Sequence, residues 1–452
     1  MVALPIQSAQ LSATTNGSAK EHEIVTIAPR PLSPRINASY VIETPIDVMQ
    51  ATAAMAGEQS SGTFLKLVGE TQALHDRHAA RVESVTHLEA ASGPSLPGAL
   101  HGHSYARAKV TLSWPLENIG ASLPNLLATV LGNLTELREL SGIRLTDICL
   151  PDDFVGSFPG PQFSIGGTRR LAGVDTGPLI GTIIKPSVGL SPEDTASLVK
   201  QLVEAGIDFI KDDELIADPP YSPLAKRVPA VMRVIEEHAQ RTGRKPMYAF
   251  NITGDIDEMR QRHDLVRDQG GTCIMTSVNW IGMASLVALR RHAQLPIHGH
   301  RNGWGLFNRH PQIGIEFRAY QALLRLAGAD HLHVNGLGSK FAESDASVIE
   351  SARACLTPLQ NKVDQSDLAM PVFSSAQTVH QAPATFEALN STDLIFTCGG
   401  GILGHPDGVA AGCRSIRAAW DATSRGVTLE DHAKQEPDLA VALRAFRSPF
   451  SG

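Results

Sequence analysis

The chain has 452 residues, of which 42% are hydrophobic and 19% are charged, and its formal net charge is −7. These values are typical of a large globular protein and exclude a basic stripe for nucleic acid, and no apolar run approaches the roughly 18 residues of a membrane-spanning helix. The five cysteines are scattered without a Cys-x-x-Cys pair, and the N-terminus lacks a signal-peptide pattern, so we expect a cytoplasmic protein without disulfides or a zinc site.

Composition and periodicity divide the chain into five segments. Residues 1–37 are rich in Ser, Thr, Ala and Pro, which predicts a flexible N-terminal arm. Residues 38–150 mix strand patterns (ASYVIETP, YARAKVTLSWP) with helix patterns (VMQATAAMAGEQ, LPNLLATVLGN) and predict a small α+β domain of the ferredoxin-like type. A Pro/Gly-rich connector over 151–178, a barrel domain over 179–430 and a helical tail over 431–452 complete the predicted organisation.

The barrel prediction depends on eight short apolar runs that alternate with helical patterns over about 250 residues. The runs are 179–184, 207–210, 247–250, 272–275, 295–299, 331–334, 370–374 and 393–397. The segment Ser191-Pro192-Glu193-Asp194 marks one helix start, and Ser222 marks another, because serine before the first turn predicts an N-cap. Eight such units favour a closed (β/α)₈ barrel over a doubly wound open sheet.

Polar residues follow the apolar runs at the points where a barrel places its reactive groups, the C-terminal ends of the strands. They are Lys185, Lys211-Asp212-Asp213-Glu214, Asn251, His300-Arg301, Ser374 and Gly399-Gly400-Gly401, and the sixth run itself carries His331 and His333. Because one mouth of the barrel would collect all of them, we expect a single site there.

The segment Lys211-Asp212-Asp213-Glu214 contains ligands for a hard cation. Alternate strand residues share a face, so Lys211 and Asp213 point together and Asp212 points away, while Glu214 can turn back inward. Two carboxylates suit magnesium, and the lysine fits if CO₂ converts it to a carbamate with an anionic oxygen. An ordinary salt-bridged cluster is the alternative.

Anion-binding groups are predicted at other strand ends. Gly399-Gly400-Gly401 can bring backbone N–H groups to a phosphate, although a plain Gly-rich turn has the same composition. Arg301 and His333 could clamp a second anion. Lys340, in the Gly-rich loop NGLGSK, is either a ligand of the substrate or a solvated lysine.

Several of these segments together resemble the large chain of ribulose-bisphosphate carboxylase and its relatives. They are GEQSSGTF (57–64), Leu131-Gly132-Asn133, GTIIKPSVGLS (181–191), GIDFIKDDE (206–214), HGHR (298–301), DHLH (330–333) followed by Lys340, and GGGILGHP (399–406). The resemblance extends over about residues 40 to 430.

The resemblance implies a role for each matching residue. Lys211 would be the lysine carbamylated by CO₂, and Asp213 and Glu214 would complete a Mg²⁺ site. Lys185 would be the proton-abstracting base, and His300 would handle protons and substrate oxygens.

The resemblance also implies that both ends of a phosphorylated substrate are held. The substrate-binding residues would be Glu58, Thr63, Asn133, Arg301, His333, Lys340, Ser374, Gly399 and Gly400. One phosphate would lie on Arg301 and His333, and the other end of the substrate on the groups near Gly399. Glu58 and Thr63 would come from the partner subunit, which implies a homodimer or an assembly of dimers.

Three departures from the carboxylase pattern argue against CO₂ fixation. A carboxylase reads Lys-Pro-Lys where this chain reads Lys185-Pro186-Ser187, and Ser-Gly-Gly where it reads Ser374-Ser375-Ala376. The loop NGLGSK also replaces a Gly-Thr-Val-rich sequence. These changes are similar to those of the non-fixing branch, the RuBisCO-like proteins.

The implied function is that of a magnesium-dependent, enediolate-forming decarboxylase or transcarboxylase/hydrolase. Its substrate would be a phosphorylated keto-sugar acid such as 3-oxo-isoapionate 4-phosphate, with no nucleic-acid or membrane partner. Three alternatives stay open: a 2,3-diketo-5-methylthiopentyl-1-phosphate enolase of methionine salvage, a metal-free Schiff-base aldolase and a catalytically silent relative.

Overall fold

The computed structural model describes residues 25–26, 34–61, 68–359 and 367–450. Its first part contains strands β1 (Val25–Thr26), β2 (Arg35–Thr44), β3 (Arg81–Ala91), β4 (Tyr105–Pro115) and β5 (Gly142–Cys149), helices α1 (Val48–Glu58), α2 (Gln72–His78), α3 (Leu116–Ile119), α4 (Leu123–Val130), α5 (Asp152–Val155) and α6 (Ser164–Ala172), and a 3₁₀ helix over Asn133–Glu136. The strands pair in the order β1-β3-β4-β2-β5. Alternate residues of β2 are buried, as expected for a strand with one face on a core.

Regular structure begins within the predicted arm, because β2 starts at Arg35 and the arm was predicted to extend to residue 37. Strand β2 starts at Arg35 because this side chain donates hydrogen bonds to the Ala79 carbonyl and to the carbonyl and hydroxyl of Ser113. The predicted connector contains helices α5 and α6. The remainder of the predicted arm, residues 1–24 and 27–33, lies outside the described residues.

The second part of the chain contains the barrel. Its strands are β6 (Leu179–Ile183), β7 (Phe209–Lys211), β8 (Met247–Asn251), β9 (Cys273–Ser277), β10 (Ile297–His300), β11 (Ile313–Ile315), β12 (His331–Asn335), β13 (Met370–Phe373) and β14 (Ile395–Thr397). Its helices are α7 (Pro192–Glu204), α8 (Leu224–Thr242), α9 (Ile256–Asp268), α10 (Val278–His292), α11 (Gly305–Asn308), α12 (Phe317–Leu326), α13 (Asp345–Cys355), α14 (Ala382–Leu389), α15 (Gly399–Leu403), α16 (Val409–Ser424), α17 (Leu429–His432) and α18 (Pro437–Ala445), with a 3₁₀ helix over Val379–Gln381.

Eight parallel strands close into a barrel in the order β10-β12-β13-β14-β6-β7-β8-β9. Each of the eight predicted apolar runs supplies one of these strands, so the predicted (β/α)₈ barrel with a smaller α+β domain is confirmed. The remaining strand of this part of the chain, β11, is not in the barrel and pairs in parallel with β5 of the small domain. The small-domain sheet therefore has six strands and is completed by a segment from the middle of the barrel sequence.

The two predicted helix starts have different outcomes. Ser191 caps α7, where its hydroxyl accepts from the Asp194 N–H and the Asp194 carboxylate accepts from the Ser191 N–H, so this prediction is confirmed. The Ser222 prediction is wrong, because α8 begins at Leu224 after Pro223 without a side-chain cap. The Ser222 carbonyl instead accepts a hydrogen bond from the buried Arg227. Among the described helices, none combines the length and apolarity that a bilayer span requires.

Candidate active site

The end of β7 brings a lysine and two carboxylates together, as the sequence predicts. Lys211 has a side-chain exposure of 1%, and its Nζ donates to the Asp212 carbonyl at 2.8 Å and lies 3.6 Å from Glu214 Oε2. Asp213 is 2% exposed and receives a 2.6 Å hydrogen bond from Lys185 Nζ, which reaches across from the end of β6. The cluster is therefore buried on its barrel side and open where Lys185 lies.

Asp212 points away from this cluster, as alternation along the strand predicts. Its carboxylate accepts from the Tyr248 hydroxyl at 2.6 Å, the Asn251 N–H at 2.9 Å and the buried Arg227 at 3.2 Å. Asn251 in turn donates to the backbone carbonyls of Asp213 and Glu214. These contacts fix the backbone that carries the two inward carboxylates. Sequence reasoning missed Arg227 and Tyr248, because neither lies at a strand end.

The charges at the β7 cluster shift the ionisation of its members. Burial lowers the pKa of Lys211, although Glu214 and Asp213 oppose the shift. Burial and the charge of Lys211 lower the pKa of His300 to about 4 against the attraction of Glu214, 3.5 Å away. Burial opposes ionisation of Glu214, but His300 and Lys211 outweigh it and lower the Glu214 pKa to about 2. At neutral pH the cluster holds ionised Glu214 beside a neutral imidazole.

Arg301, which follows β10, is 3% exposed and pairs with a residue that the sequence did not indicate. Its Nη2 lies 2.6 Å from Glu343 Oε2, and its guanidinium lies over the Phe317 ring at 4.1 Å from the centroid. Its Nε and Nη1 are buried, and neither has a hydrogen-bond partner among the described residues. Two nitrogens of Arg301, with three N–H groups between them, therefore have no acceptor in the described part of the chain.

Two buried histidines continue from the site into the barrel. The Thr168 hydroxyl donates to the Ser164 carbonyl, so it must accept from His331 Nε2–H at 2.8 Å. His331 Nδ1 then faces His298 Nδ1 at 3.4 Å. Burial lowers the pKa of His331 to about 3 and that of His298 well below its ordinary value, so both rings are neutral. Each neutral ring has one donor and one acceptor, which sets the direction of the chain.

The same chain engages both ring nitrogens of His333. His298 Nε2 lies 2.8 Å from His333 Nε2, and His333 Nδ1 lies 3.1 Å from the Ser374 hydroxyl. Because His298 donates through Nδ1, its Nε2 accepts from His333, and His333 Nδ1 accepts from Ser374. The Ser374 oxygen is then an acceptor, with the Ser375 hydroxyl 3.4 Å away and a second lone pair for a substrate hydroxyl. In this arrangement His333 keeps no nitrogen for a phosphate.

The Gly-rich segment after β14 starts a helix, as the sequence predicts. Helix α15 begins at Gly399, so the first N–H groups of the helix have no partner within it. A side chain at Gly400 would meet no atom within 4 Å, whereas one at Gly401 would lie 2.6 Å from the Gln377 carbonyl. A side chain at Gly399 would make an ordinary contact with Ile183 at 3.8 Å, so packing requires glycine only at the third position.

Two further substrate-binding predictions concern loops near this segment. Ser375 and Ala376, which replace glycines of the carboxylase pattern, have φ of +72° and +62°, so they retain a glycine-like backbone but add side chains. Lys340 lies in the loop after β12, with its Nζ 5.3 Å from the Phe341 ring. No ion pair joins Lys340 to an acidic group in the described part of the chain.

Two of the predicted small-domain residues, Glu58 and Asn133, lie together. Asn133 Nδ2 donates to Glu58 Oε1 at 2.9 Å, so the two side chains form one unit. Neither makes a hydrogen bond or ion pair with a barrel residue within the ranges described above. Thr63 lies outside the described residues.

A second group of metal-ligand types lies at the opposite end of the barrel. His263, Asp264 and His292 have ligand atoms within 4.8 Å of one another. His263 Nε2, however, accepts from the Gln294 N–H at 2.9 Å, so its proton is on Nδ1 and points to Asp264. Asp264 Oδ1 also contacts Arg267 at 3.0 Å. This group is a satisfied hydrogen-bond network rather than a metal site.

Known proteins match the chain over both domains. The ribulose bisphosphate carboxylase large chain, catalytic domain, matches residues 164–446, and the N-terminal domain of that large chain matches residues 35–154. The chain is 55% identical over 416 residues to the 3-oxo-isoapionate-4-phosphate transcarboxylase/hydrolase of Xanthobacter autotrophicus, with 92% of this chain and 100% of the relative covered.

A second relative and a solved structure agree with this match. The 3-oxo-isoapionate-4-phosphate decarboxylase of Rhizobium rhizogenes is 44% identical over 414 residues, which cover 91% of this chain and 98% of the relative. The crystal structure of a rubisco-like protein from Burkholderia fungorum has a TM-score of 0.86 at 49% identity and covers 91% of this chain and 100% of that chain. The chain therefore belongs to the ribulose bisphosphate carboxylase large-chain family, within which it is a RuBisCO-like protein.

Proposed function

We propose that this chain is a magnesium-dependent enzyme that removes the carboxyl group of a phosphorylated keto-sugar acid through an enediolate. The names of relatives that act on 3-oxo-isoapionate 4-phosphate support this substrate class. The higher identity to the transcarboxylase/hydrolase, 55% against 44%, favours transfer or hydrolysis of the carboxyl group over simple decarboxylation. The observation that carries the proposal is the buried group of Lys211, Asp213 and Glu214 beside Lys185.

The β7 cluster suits a magnesium ion once Lys211 is carbamylated. An ammonium group would repel the cation, whereas burial of Lys211 favours the neutral amine, which is the form that reacts with CO₂. The carbamate would provide a third anionic oxygen beside Asp213 and Glu214, and oxygen is the ligand that magnesium prefers. When bound, magnesium would lower the cost of negative charge on the substrate oxygens.

The surrounding side chains can manage the proton that the reaction needs. When the bond to the carboxyl carbon breaks, that carbon leaves as CO₂ in decarboxylation or combines with water to leave as bicarbonate in hydrolysis. The electron pair of the bond stays on the substrate as an enediolate, and a proton must then reach carbon. Lys185 Nζ is 43% exposed and is held by Asp213 Oδ2 and the Ser187 hydroxyl, each at 2.6 Å, so it can exchange a proton with a bound substrate. The neutral His300 can accept or donate a proton at a substrate oxygen.

Protein groups that lack a full set of partners within the chain suggest where each end of the substrate binds. The N–H groups of Gly399 and Gly400 and the cation of Lys340 would bind the phosphate. Ser374 would accept from a substrate hydroxyl. Glu58, Asn133 and Thr63 would be contributed by the partner subunit of a homodimer, and the Glu58–Asn133 hydrogen bond implies that these two enter together.

The proposal excludes CO₂ fixation. In place of the second carboxylase lysine, Ser187 accepts a hydrogen bond from Lys185 and supplies no positive charge near the site. With ribulose bisphosphate, magnesium and labelled bicarbonate, the purified protein should form no labelled acid above background.

The test is turnover of 3-oxo-isoapionate 4-phosphate by the purified protein with magnesium and bicarbonate, with the products identified by mass spectrometry. Carbon-13 bicarbonate should give a carbamate signal in the NMR spectrum, which Lys211→Ala abolishes and the matched control Lys185→Ala retains. Both variants should lose turnover. Full turnover in a metal chelator, or borohydride trapping of a covalent substrate adduct, would replace this mechanism with that of a Schiff-base aldolase.

A further inference from the structure

The carboxylate of Glu343 lies where the resemblance places a substrate phosphate. Glu343 belongs to the loop between β12 and α13, and its side chain is only 6% exposed. Its Oε2 lies 2.6 Å from Arg301 Nη2 and also accepts from Asn335 Nδ2 at 2.6 Å, while its Oε1 accepts from the Ser347 hydroxyl at 2.8 Å. Three donors from three separate segments therefore fix this carboxylate.

The charge of Arg301 is consequently already compensated within the protein. Its two remaining nitrogens, Nε and Nη1, are buried and have no hydrogen-bond partner among the described residues. A phosphate at these groups would bring its charge to within roughly 5 Å of Glu343, where like charges repel strongly in a buried site. A neutral hydroxyl or carbonyl oxygen would satisfy the same N–H groups without that repulsion.

The groups near Gly399 differ from Arg301 because no carboxylate pairs with their positive charge in the described part of the chain. Gly399 and Gly400 present N–H groups at the start of α15, and Lys340 has no acidic partner in the described part of the chain. His333, which the resemblance pairs with Arg301, has both nitrogens engaged by His298 and Ser374. At the Arg301 end, the cation is thus already neutralised by Glu343, and neither ring nitrogen of His333 is free.

We propose that Glu343 excludes a second phosphate from Arg301, so that the site accepts a sugar acid with a single phosphate. This proposal rests on the proposed function and narrows its substrate class to monophosphates. Glu343 is then a specificity-determining residue, and Arg301 binds an uncharged oxygen of the substrate.

The test compares two ligands with the same carbon skeleton, ribulose 5-phosphate and ribulose 1,5-bisphosphate. Affinities are measured by calorimetry on the full-length protein with magnesium and bicarbonate. The wild-type protein should bind the bisphosphate no more tightly than the monophosphate. Glu343→Gln keeps the shape and removes the charge, so it should strengthen bisphosphate binding by roughly tenfold or more and leave monophosphate binding within about threefold.

Two variants control for effects other than the local charge. Glu343→Asp keeps the negative charge and should still exclude the bisphosphate. Glu350→Gln removes the same charge from an exposed position on α13, where Glu350 pairs with Arg318, and should leave both affinities unchanged.

The outcomes separate this inference from the proposed function. A wild-type protein that binds the bisphosphate at least about tenfold more tightly than the monophosphate would overturn the role of Glu343, even if Glu343→Gln fails to fold. An unchanged ratio of affinities in a folded Glu343→Gln would do the same. Turnover of 3-oxo-isoapionate 4-phosphate together with either result would leave the proposed function standing, whereas absence of binding by both ligands and by that acid would reject both.

Discussion

Glu43 shows how a buried carboxylate can link the stability of this protein to pH. Its side chain is fully buried in β2 and accepts hydrogen bonds from the N–H and hydroxyl of Ser95, the hydroxyl of Ser141 and Nε of Arg107. Burial favours the neutral acid, but these donors outweigh it and lower the pKa of Glu43 below its ordinary value of 4.5. The ionised form is therefore the one that the fold stabilises.

We expect Glu43→Gln to destabilise the protein by about 1–3 kcal/mol at pH 7, because it replaces charge-assisted hydrogen bonds with weaker ones and leaves donors mismatched. A lowered folded-state pKa contributes stability above the unfolded-state pKa and loses it as the pH falls through the folded-state pKa. The difference from wild type, measured by thermal unfolding, should therefore shrink as the pH falls below about 4.5.

The surface pair of Glu117 and Arg77 in the same domain provides the control. Glu117→Gln removes an equal charge from an exposed ion pair and should leave unfolding nearly unchanged at every pH. A Glu43→Gln deficit that is as large at pH 4 as at pH 7 would contradict the account of Glu43.

At the residue scale, the cluster at the end of β7 could be predicted from the sequence, because its members follow strand ends. The pairings between distant segments could not be predicted. Lys211, Asp213 and Lys185 meet because the period of a strand and the mouth of a barrel place them together. The pairing of Arg301 with Glu343 depends on the path of a long loop, and no spacing in the sequence encodes it. The engagement of both nitrogens of His333 likewise depends on two neighbouring strands.

At the scale of elements, β11 joins the two domains through one glycine. Gly314 has a φ of +134°, and a side chain there would lie 2.0 Å from the Phe307 carbonyl. It pairs with Arg144 of β5, which also contacts Glu316 and the carbonyl of His310. This short strand connects the barrel to the small-domain sheet.

We expect Gly314→Ala to cost about 2 kcal/mol or more, because it combines an unfavourable backbone conformation with a steric clash. Since β11 lies between the domains, calorimetry should show the small domain unfolding earlier, with a broadened or divided transition. The control is Gly305→Ala at the start of α11, where an added side chain would meet nothing within 4 Å. Equal unfolding curves for the two variants would show that β11 does not couple the domains.

The repeating elements were predictable because each barrel strand is a short apolar run between helical patterns. Strand β11 was missed since its three residues carry no such pattern and its partner β5 lies far away in the chain. The assignment of Ser222 as a cap failed because α8 begins only after Pro223, and the Ser222 carbonyl and hydroxyl both lie within hydrogen-bond distance of the buried Arg227.

At the scale of the whole molecule, apolar side chains surround the mouth of the barrel. They are Val188 at 53% exposure, Leu215 at 64%, Trp280 at 57%, Leu306 at 78% and Phe341 at 52%. All five follow C-terminal ends of barrel strands. An apolar rim around a polar site suits coverage by another protein surface. The small domain of a partner subunit would cover this rim and bring Glu58 and Asn133 to the site.

A shared site makes a quantitative prediction for mixed subunits. Glu58→Gln and Lys211→Ala should each be inactive alone, because each removes one part of every site. In a mixed dimer, one site combines the intact Lys211 of the first chain with the intact Glu58 of the second, and the other site has lost both. If subunits exchange at random, half of the dimers are mixed and activity should return to about one quarter of wild type. The matched control mixes Lys185→Ala with Lys211→Ala, whose lesions lie in the same barrel, so no mixed dimer has an intact site. Recovery in the first mixture alone would establish the shared site, and no recovery after verified exchange would place Glu58 outside it.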